Sequence, residues 1–166
     1  MDVTTEWDPS IYFREIVAKN KLATEHKFSF VTVPSVIGAM MLAADRTKSS
    51  AHVAFCETSD GSTTQGMSAG FFRRKVFTVF VLYRYDIKNE AQRNERLNIC
   101  RTLRDQIYSR FLRDSEELEA ATSYAFQTSI QERDTPQFTL DGCTGTWFQM
   151  QVDIPVDLRY NPEEWT

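Results

Sequence analysis

The spacing of apolar side chains predicts an amphipathic helix near the start of the chain. Asp8 and Pro9 favour a helix start, because the aspartate side chain can accept an amide hydrogen bond and proline at the first helical position gives up no needed donor. The apolar residues that then share one side at 3.6-residue spacing are Tyr12, Phe13, Ile16 and Val17. We expect this helix to end near Thr24.

Two short elements are predicted next. Phe28 and Phe30 alternate as in a short strand, which Pro34 ends because proline cannot donate to a hydrogen-bond ladder. Ser35 is placed to cap a short helix that runs through Ala44 and is rich in Ala, Met and Leu.

The middle of the chain predicts two strands separated by a polar segment. Residues 52–56 alternate as in a strand. The segment 58–70 holds three of the six glycines and has almost nothing to bury, so we expect a surface loop that is mobile or engaged with a partner. Residues 77–85 carry apolar side chains on both sides, as in a long central strand whose faces are covered, at least partly, by helix or by a neighbouring molecule.

The second half predicts the best-formed helix of the chain. Asn89 is placed to cap it, and Arg101 and Asp105 are four residues apart, which favours an ion pair within the helix. Its apolar stripe consists of Leu97, Cys100, Leu103, Ile107 and Phe111.

Further strands are predicted after this helix. Residues 124–130 alternate, and the region 134–136 predicts a turn that reverses the chain into a hairpin. Asp141-Gly142 and Gly145 predict a further turn. Apolar and polar side chains alternate without a break over residues 148–158, so we expect one face of that strand to be buried and the other to face solvent. Pro155 favours an edge position or a bulge near the strand's end.

The order of these elements predicts the fold class. Strands that follow strands imply hairpins, hence an α+β domain: an antiparallel or mixed sheet packed with an N-terminal helix and one long central helix. The 166 residues fit a single domain, 1–166, with a polar loop at about 58–70 and a short C-terminal tail at 159–166.

Charge and cysteine usage narrow the functional classes. The net charge of −4 argues against non-specific binding to nucleic-acid backbones, because such binding needs a basic surface. No apolar run approaches the ~20 residues of a membrane span, and the first 25 residues do not read as a secretory signal. Three cysteines without a close pair disfavour a disulfide framework and suit a reducing compartment.

No motif identifies a reaction, so we expect no catalytic, cofactor-binding or metal-ligating residues. The two histidines lack a nucleophile elbow and favour a structural or surface role. The backbone amides of the glycine-rich segment 60–66 are candidates for binding a phosphate, but the segment lacks the Gly-Lys-Ser/Thr ending of a P-loop.

Interfaces are the better candidates for function. The one dense basic cluster is at 73–75. One alternative is contact with a phosphate backbone; without an overall basic charge, a strand start that resists edge pairing or a protein contact is favoured. Aromatic side chains near element ends are typical of interface anchors, because they bury a large area with few rotors. The residues that we expect at interfaces are Asp60, Thr63, Gln65, Met67, Arg73, Arg74, Lys75, Trp147 and Trp165.

The order of elements resembles that of the tail-terminator and head–tail connector proteins of tailed bacteriophages. The features that carry the resemblance are an amphipathic first helix, a long two-faced strand at 77–85 after a polar loop, a helix carrying Leu97 and Phe111, and terminal strands ending in FQMQVDIPVDLRYNP. The resemblance covers residues 8 to about 162 and rests on architecture. The segment 34–45 and the length of the 58–70 loop are not matched.

This resemblance implies a structural role. Members of that family are small α+β subunits that assemble as rings in the neck or at the end of the tail tube, without catalytic residues. The expected partners are copies of the chain itself and adjoining neck, tail-tube or portal-associated proteins, with DNA near the lumen and no membrane. The expected location is the virion, after synthesis in the host cytoplasm. The alternative is a small stand-alone ligand-binding domain or enzyme that uses the Gly-rich loop.

Overall fold

A computed structural model describes residues 7–45, 50–65, 70–122, 124–127, 130–139, 142–158 and 160–164. The helices are α1 (Pro9–Lys19), α2 (Lys21–Glu25), α3 (Val36–Ala44) and α4 (Glu90–Thr122), with a 3-10 turn at Pro162–Glu164. The strands are β1 (Ser29–Thr32), β2 (Ala51–Gln65), β3 (Phe71–Arg84), β4 (Ala125–Phe126), β5 (Gln131–Thr139) and β6 (Cys143–Val156).

The described strands form one mixed sheet, in the order β1, β2, β3, β6 and β4, with β5 also paired to β6. β1 runs parallel to β2, and the other pairs are antiparallel. β3 is central, as its two apolar faces predicted. The predicted α+β class, with a mixed sheet, an N-terminal helix and one long central helix, is confirmed.

One face of the sheet packs against α1 and α4. The predicted stripe of α4 is buried there with Phe13 and Val17 of α1. Phe13 stacks on Phe55 of β2 and on Phe111 of α4, with ring centroids 5.7 and 5.9 Å apart. This aromatic cluster holds the two helices on the sheet.

The opposite face packs against α3. Because side chains alternate along a strand, Phe80 and Leu82 of β3 point away from α4. They are buried with Ala39, Leu42 and Ala43 of α3. Helices of the same chain therefore cover both apolar faces in the middle of β3, and no neighbouring molecule is needed there.

The first predicted helix is divided in two. Asp8 Oδ1 accepts from the backbone amides of Ser10 and Ile11 at 2.8 and 3.2 Å, as the sequence predicted. The chain leaves the helix at Asn20, whose side chain accepts from the amide of Ala23 at 2.9 Å and caps α2. Asparagine favours such a cap because its side chain competes for backbone donors.

The loop expected at 58–70 is wrong over residues 58–65, and residues 66–69 lie outside the described residues. β2 continues through the polar segment to Gln65 and pairs with the first half of β3, with Ser62 opposite Arg74 and Thr63 opposite Arg73. The strand register is irregular between Thr58 and Ser62, a stretch that contains Gly61. The long β3 provides a ladder for backbone groups, so a segment with little to bury still forms a strand.

The turn predicted at 134–136 is also wrong. Asp134 lies within β5, opposite Thr146 of β6. Of the strand predicted at 124–130, only β4 is a strand among the described residues, which leave out 128–129. β5 is an edge strand with a register shift between Thr135 and Thr139, where proline is tolerated. The later predicted turn is confirmed at Gly142, which has a φ of 75°, and is wrong at Gly145, which lies within β6 opposite Leu82. Residue 141 lies outside the described residues.

Pro155 lies near the end of β6, past the last residue that pairs with β4. It pairs only with β3 there, opposite Phe72. The predicted edge position is therefore correct locally, although β6 as a whole lies inside the sheet.

Candidate interaction surfaces

The first candidate surface is the outer side of α3. Ser35 caps this helix through a hydrogen bond of 3.2 Å from the amide of Gly38. The helix contains no charged residue, and its small side chains face the sheet. The side chains that point outward are Val36, Ile37, Met40 and Met41, which we call the α3 patch.

The α3 patch is unusually exposed for its composition. Ile37 and Met41 are 68% and 69% exposed. A helix that is apolar all round is normally buried, and the largest exposed apolar patch of a protein, typically about 300–600 Å², is often functional. Fully burying an exposed Ile or Met side chain is favourable by about 1.5–3 kcal/mol. Covering the α3 patch with another apolar surface is therefore favourable in free energy.

Trp147, a predicted interface residue, lies near this helix. It is opposite Phe80 in the β3–β6 register and packs, half-buried, against the cluster under α3. The structure thus places Trp147 beside the core of the α3 side of the sheet.

The second candidate surface is the far end of the β2–β3 hairpin. Thr63 is exposed opposite Arg73, and exposed Pro155 of β6 lies opposite Phe72. Phe72 is 36% exposed, which is high for an aromatic residue within a sheet. We call Ser62, Phe72 and Pro155, which share one face of the sheet, the hairpin end. Two of the predicted interface residues, Thr63 and Arg73, pair beside it and point to the opposite face.

The basic cluster at 73–75 does not form one basic face. Successive residues of a strand point to opposite sides, so Arg74 is separated from Arg73 and Lys75. Arg74 makes a two-pronged pair with Asp153, with Nε–Oδ1 and Nη2–Oδ2 distances of 2.8 Å, and this hydrogen bonding raises the pKa of Arg74. Lys75 Nζ lies 3.8 Å from Glu57 Oε1. Two of the three charges are compensated within the chain.

The remaining predicted residues are only partly located. Asp60 and Gln65 belong to β2, but their side chains lie outside the described part of the structure. Met67 and Trp165 lie outside the described residues altogether. The expectation that they contact a partner stays a prediction.

A groove of about 900 Å³ lies between the first two helices and α4. It is wide, and its lining is largely polar and charged: Lys19, Asn20, Lys21, Leu22, Glu25, Thr102, Asp105, Gln106, Ser109, Arg110 and Arg113. At its edge, Asp114 accepts from Tyr12 Oη at 3.0 Å and from Arg110 Nε at 2.7 Å. Burial, and then the bond to Asp114, raise the pKa of Tyr12.

Four candidate nucleophiles, one serine and three cysteines, lie partly or wholly inside the fold. Ser29 Oγ lies 2.7 Å from Nδ1 of the buried His52, between β1 and β2. Cys56, Cys100 and Cys143 are free and buried. Burial raises the pKa of Cys143 to about 12, so this thiol stays protonated near neutral pH.

Sequence reasoning did not assign the α3 patch. The signal was present as nine consecutive uncharged residues after Ser35, but apolar residues occur on every side of that helix. Periodicity therefore could not show which side the sheet would cover.

Across the described part of the chain, His, Cys, Asp and Glu side chains do not gather in groups of three or more that could hold a metal ion. None of the described helices is both long enough and apolar enough to cross a membrane.

Comparison of the sequence with models of known protein families, and with curated proteins, finds no match.

Proposed function

We propose that this protein is a structural subunit that works by associating with copies of itself, as a ring component of the neck or tail end of a tailed-bacteriophage virion. In that role, terminator-like or connector-like, it would help join the tail to the head. Its other neighbours would be adjoining neck, tail-tube or portal-associated proteins. The single observation that carries the proposal is the α3 patch, and the resemblance in element order supports it.

The arrangement of α3 supports association over a solitary role. Its alanines and Leu42 fill the space above the sheet, while larger Ile37 and Met41 point to solvent. A solitary soluble domain gains nothing from that arrangement, because the outward side chains lie against water. A neighbouring subunit that covers them recovers the free energy of their burial.

Association would join subunits that are already folded. Because α1, α4 and α3 close both sides of β3 within one chain, the core does not depend on a neighbour. The interface then lies on the surface of the fold, as in assemblies of preformed subunits. This differs from an obligate oligomer, whose interface resembles a core cut in half.

The groove beside α4 favours a second candidate, a small-molecule binding domain. Its volume of about 900 Å³ is within the range of ligand sites, but all of its lining residues except Leu22 are polar or charged, whereas such sites are lined mainly by hydrophobic and aromatic residues. It also lies away from the Gly-rich segment, most of which is strand. Thermal shift assays with nucleotides and divalent metals discriminate the two: under the ring proposal they are flat.

Class averages from negative-stain electron microscopy test the proposal. We expect closed rings for the unaltered protein and their loss in the variant Ile37→Lys. The matched control is Ile11→Lys, because Ile11 is 51% exposed on α1, on the opposite face of the sheet. Images that contain only single subunits, or rings that Ile37→Lys leaves intact, contradict the proposal.

A further inference from the structure

We propose that neighbouring copies of this chain meet head to tail, with the α3 patch of one copy docked on the hairpin end of the next. This inference rests on the proposed function and adds the two surfaces that form the contact. It commits to a second copy of the same chain as the occupant of the α3 patch.

The two surfaces lie at opposite ends of one sheet face. The register between β3 and β6 is unbroken from Phe71 to Arg84. Phe72 therefore points to the same face as Phe80, the residue that α3 covers. Eight residues along a strand correspond to about 26 Å, so the two surfaces are separate. Two different apolar surfaces on one subunit are what a head-to-tail contact requires.

The α3 patch alone is small for an interface between two copies, whichever surface it docks on. Its four partly exposed side chains offer on the order of 300 Å² of apolar surface. A stable two-subunit interface needs roughly 800 Å² from each partner. A symmetric pair would bury this small patch once and leave the hairpin end exposed. In a closed ring each subunit takes part in two contacts, so a subunit dissociates only when both of its contacts break.

The chemistry of the hairpin end suits an uncharged helix. Phe72 and Pro155 offer an apolar surface, and methionine side chains adapt to an aromatic ring with favourable sulfur contacts. Arg74 and Asp153 point to the same side, and their charges already compensate each other. When α3 docks there, Arg74 and Asp153 remain paired with each other. The contact therefore does not bury an unpaired charge, which would cost free energy.

Cysteine cross-linking between differently marked copies tests the inference. One preparation carries Ile37→Cys and an affinity tag, and the other carries Phe72→Cys without a tag. They are mixed, allowed to exchange subunits and treated with a short bis-maleimide. Cys56, Cys100 and Cys143 are buried and should not compete. Met41→Cys with Pro155→Cys is a second, independent pair, and Ile11→Cys with Phe72→Cys is the matched control.

The expected result is a tagged–untagged product in the mixture that is absent from either variant alone and from the control. A chain that carries both Ile37→Cys and Phe72→Cys should give a ladder of multiples that ends at the size of the ring. Self-linking of Ile37→Cys alone would overturn the inference in favour of a symmetric pair. Absence of the mixed product for both pairs, with the native mass still oligomeric, would overturn the inference and spare the proposed function. A monomeric mass would overturn both.

Discussion

Arg101 of α4 and Asp134 of β5 form an ion pair, with Arg101 Nη2 lying 2.8 Å from Asp134 Oδ2. Arg104, one turn further along α4, donates to Thr146 Oγ1 at 3.0 Å and lies 3.5 Å from Asp134 Oδ1. The carboxylate therefore fastens the edge strand β5 to the long helix.

We expect Asp134→Asn to lower the free energy of unfolding by about 1 kcal/mol at neutral pH, a modest value because solvent partly screens the pair. The hydrogen bond from Arg101 lowers the pKa of Asp134 below its usual value of about 3.9. The stabilisation is therefore present above pH 4 and is lost as the pH falls through the folded-state pKa. Urea titrations at pH 7 and pH 3 should show the difference between variant and wild type shrinking at the lower pH. Glu132→Gln, a half-exposed neighbour of Arg104, serves as the control with a smaller effect; equal losses for the two variants would contradict the role of Asp134.

Gly145 lies where two strands approach closely, opposite Leu82 of β3. A Cβ added there would overlap the carbonyl oxygen of Val81 and lie 2.9 Å from Leu82 Cδ2. We expect Gly145→Ala to destabilise the protein by about 1–3 kcal/mol, because overpacking forces the strands apart. Gly70→Ala is the control, since an added Cβ at Gly70 meets nothing within 4 Å. Thermal unfolding temperatures of the two variants measure the difference, and similar values would show that the sheet relaxes freely at Gly145.

The basic residues of β3 allow a test of DNA contact. Because Arg74 and Lys75 are paired with Asp153 and Glu57, we expect the triple variant Arg73→Ala/Arg74→Ala/Lys75→Ala to retain DNA with an unchanged dependence on salt. Filter retention across a salt series measures that slope. A slope that becomes flatter by about one unit for each charge removed would show that these residues do contact phosphate.

The cysteines should be unreactive in the native protein. Burial raises the pKa of all three thiols, and each is enclosed in the fold. We expect a maleimide reagent to label none of them at neutral pH within the time that it labels an exposed Ile37→Cys variant. In denaturant, all three cysteines should become accessible and react with the maleimide. Rapid labelling of the unaltered native chain would show that part of the sheet opens.

The elements with strong local signals could be predicted from sequence. Asp8 and Ser35 cap helices where their side chains indicated, and Asn89 Oδ1 accepts from the amide of Gln92 at 2.9 Å at the start of α4. The two-faced pattern of β3 identified the central strand. In each case the signal lies within a few residues of the structure that it predicts.

The wrong predictions concern structure decided by distant residues. The polar half of β2 is a strand because β3 supplies its hydrogen-bond partners, which local composition cannot show. Arg101 was expected to pair with Asp105, but Asp134 of β5 lies within reach, and Asp105 instead accepts from Arg104 at 2.8 Å. The α3 patch was missed because only packing on the sheet distinguishes the two sides of an apolar helix.

The mass of the protein in solution tests the central claim most directly. Light scattering of the unaltered chain at micromolar concentration should give a defined multiple of 19.2 kDa, and Ile37→Lys should reduce it to 19.2 kDa while Ile11→Lys leaves it unchanged. A mass of 19.2 kDa for the unaltered chain at every concentration, alone and with virion partners, would contradict self-association through α3.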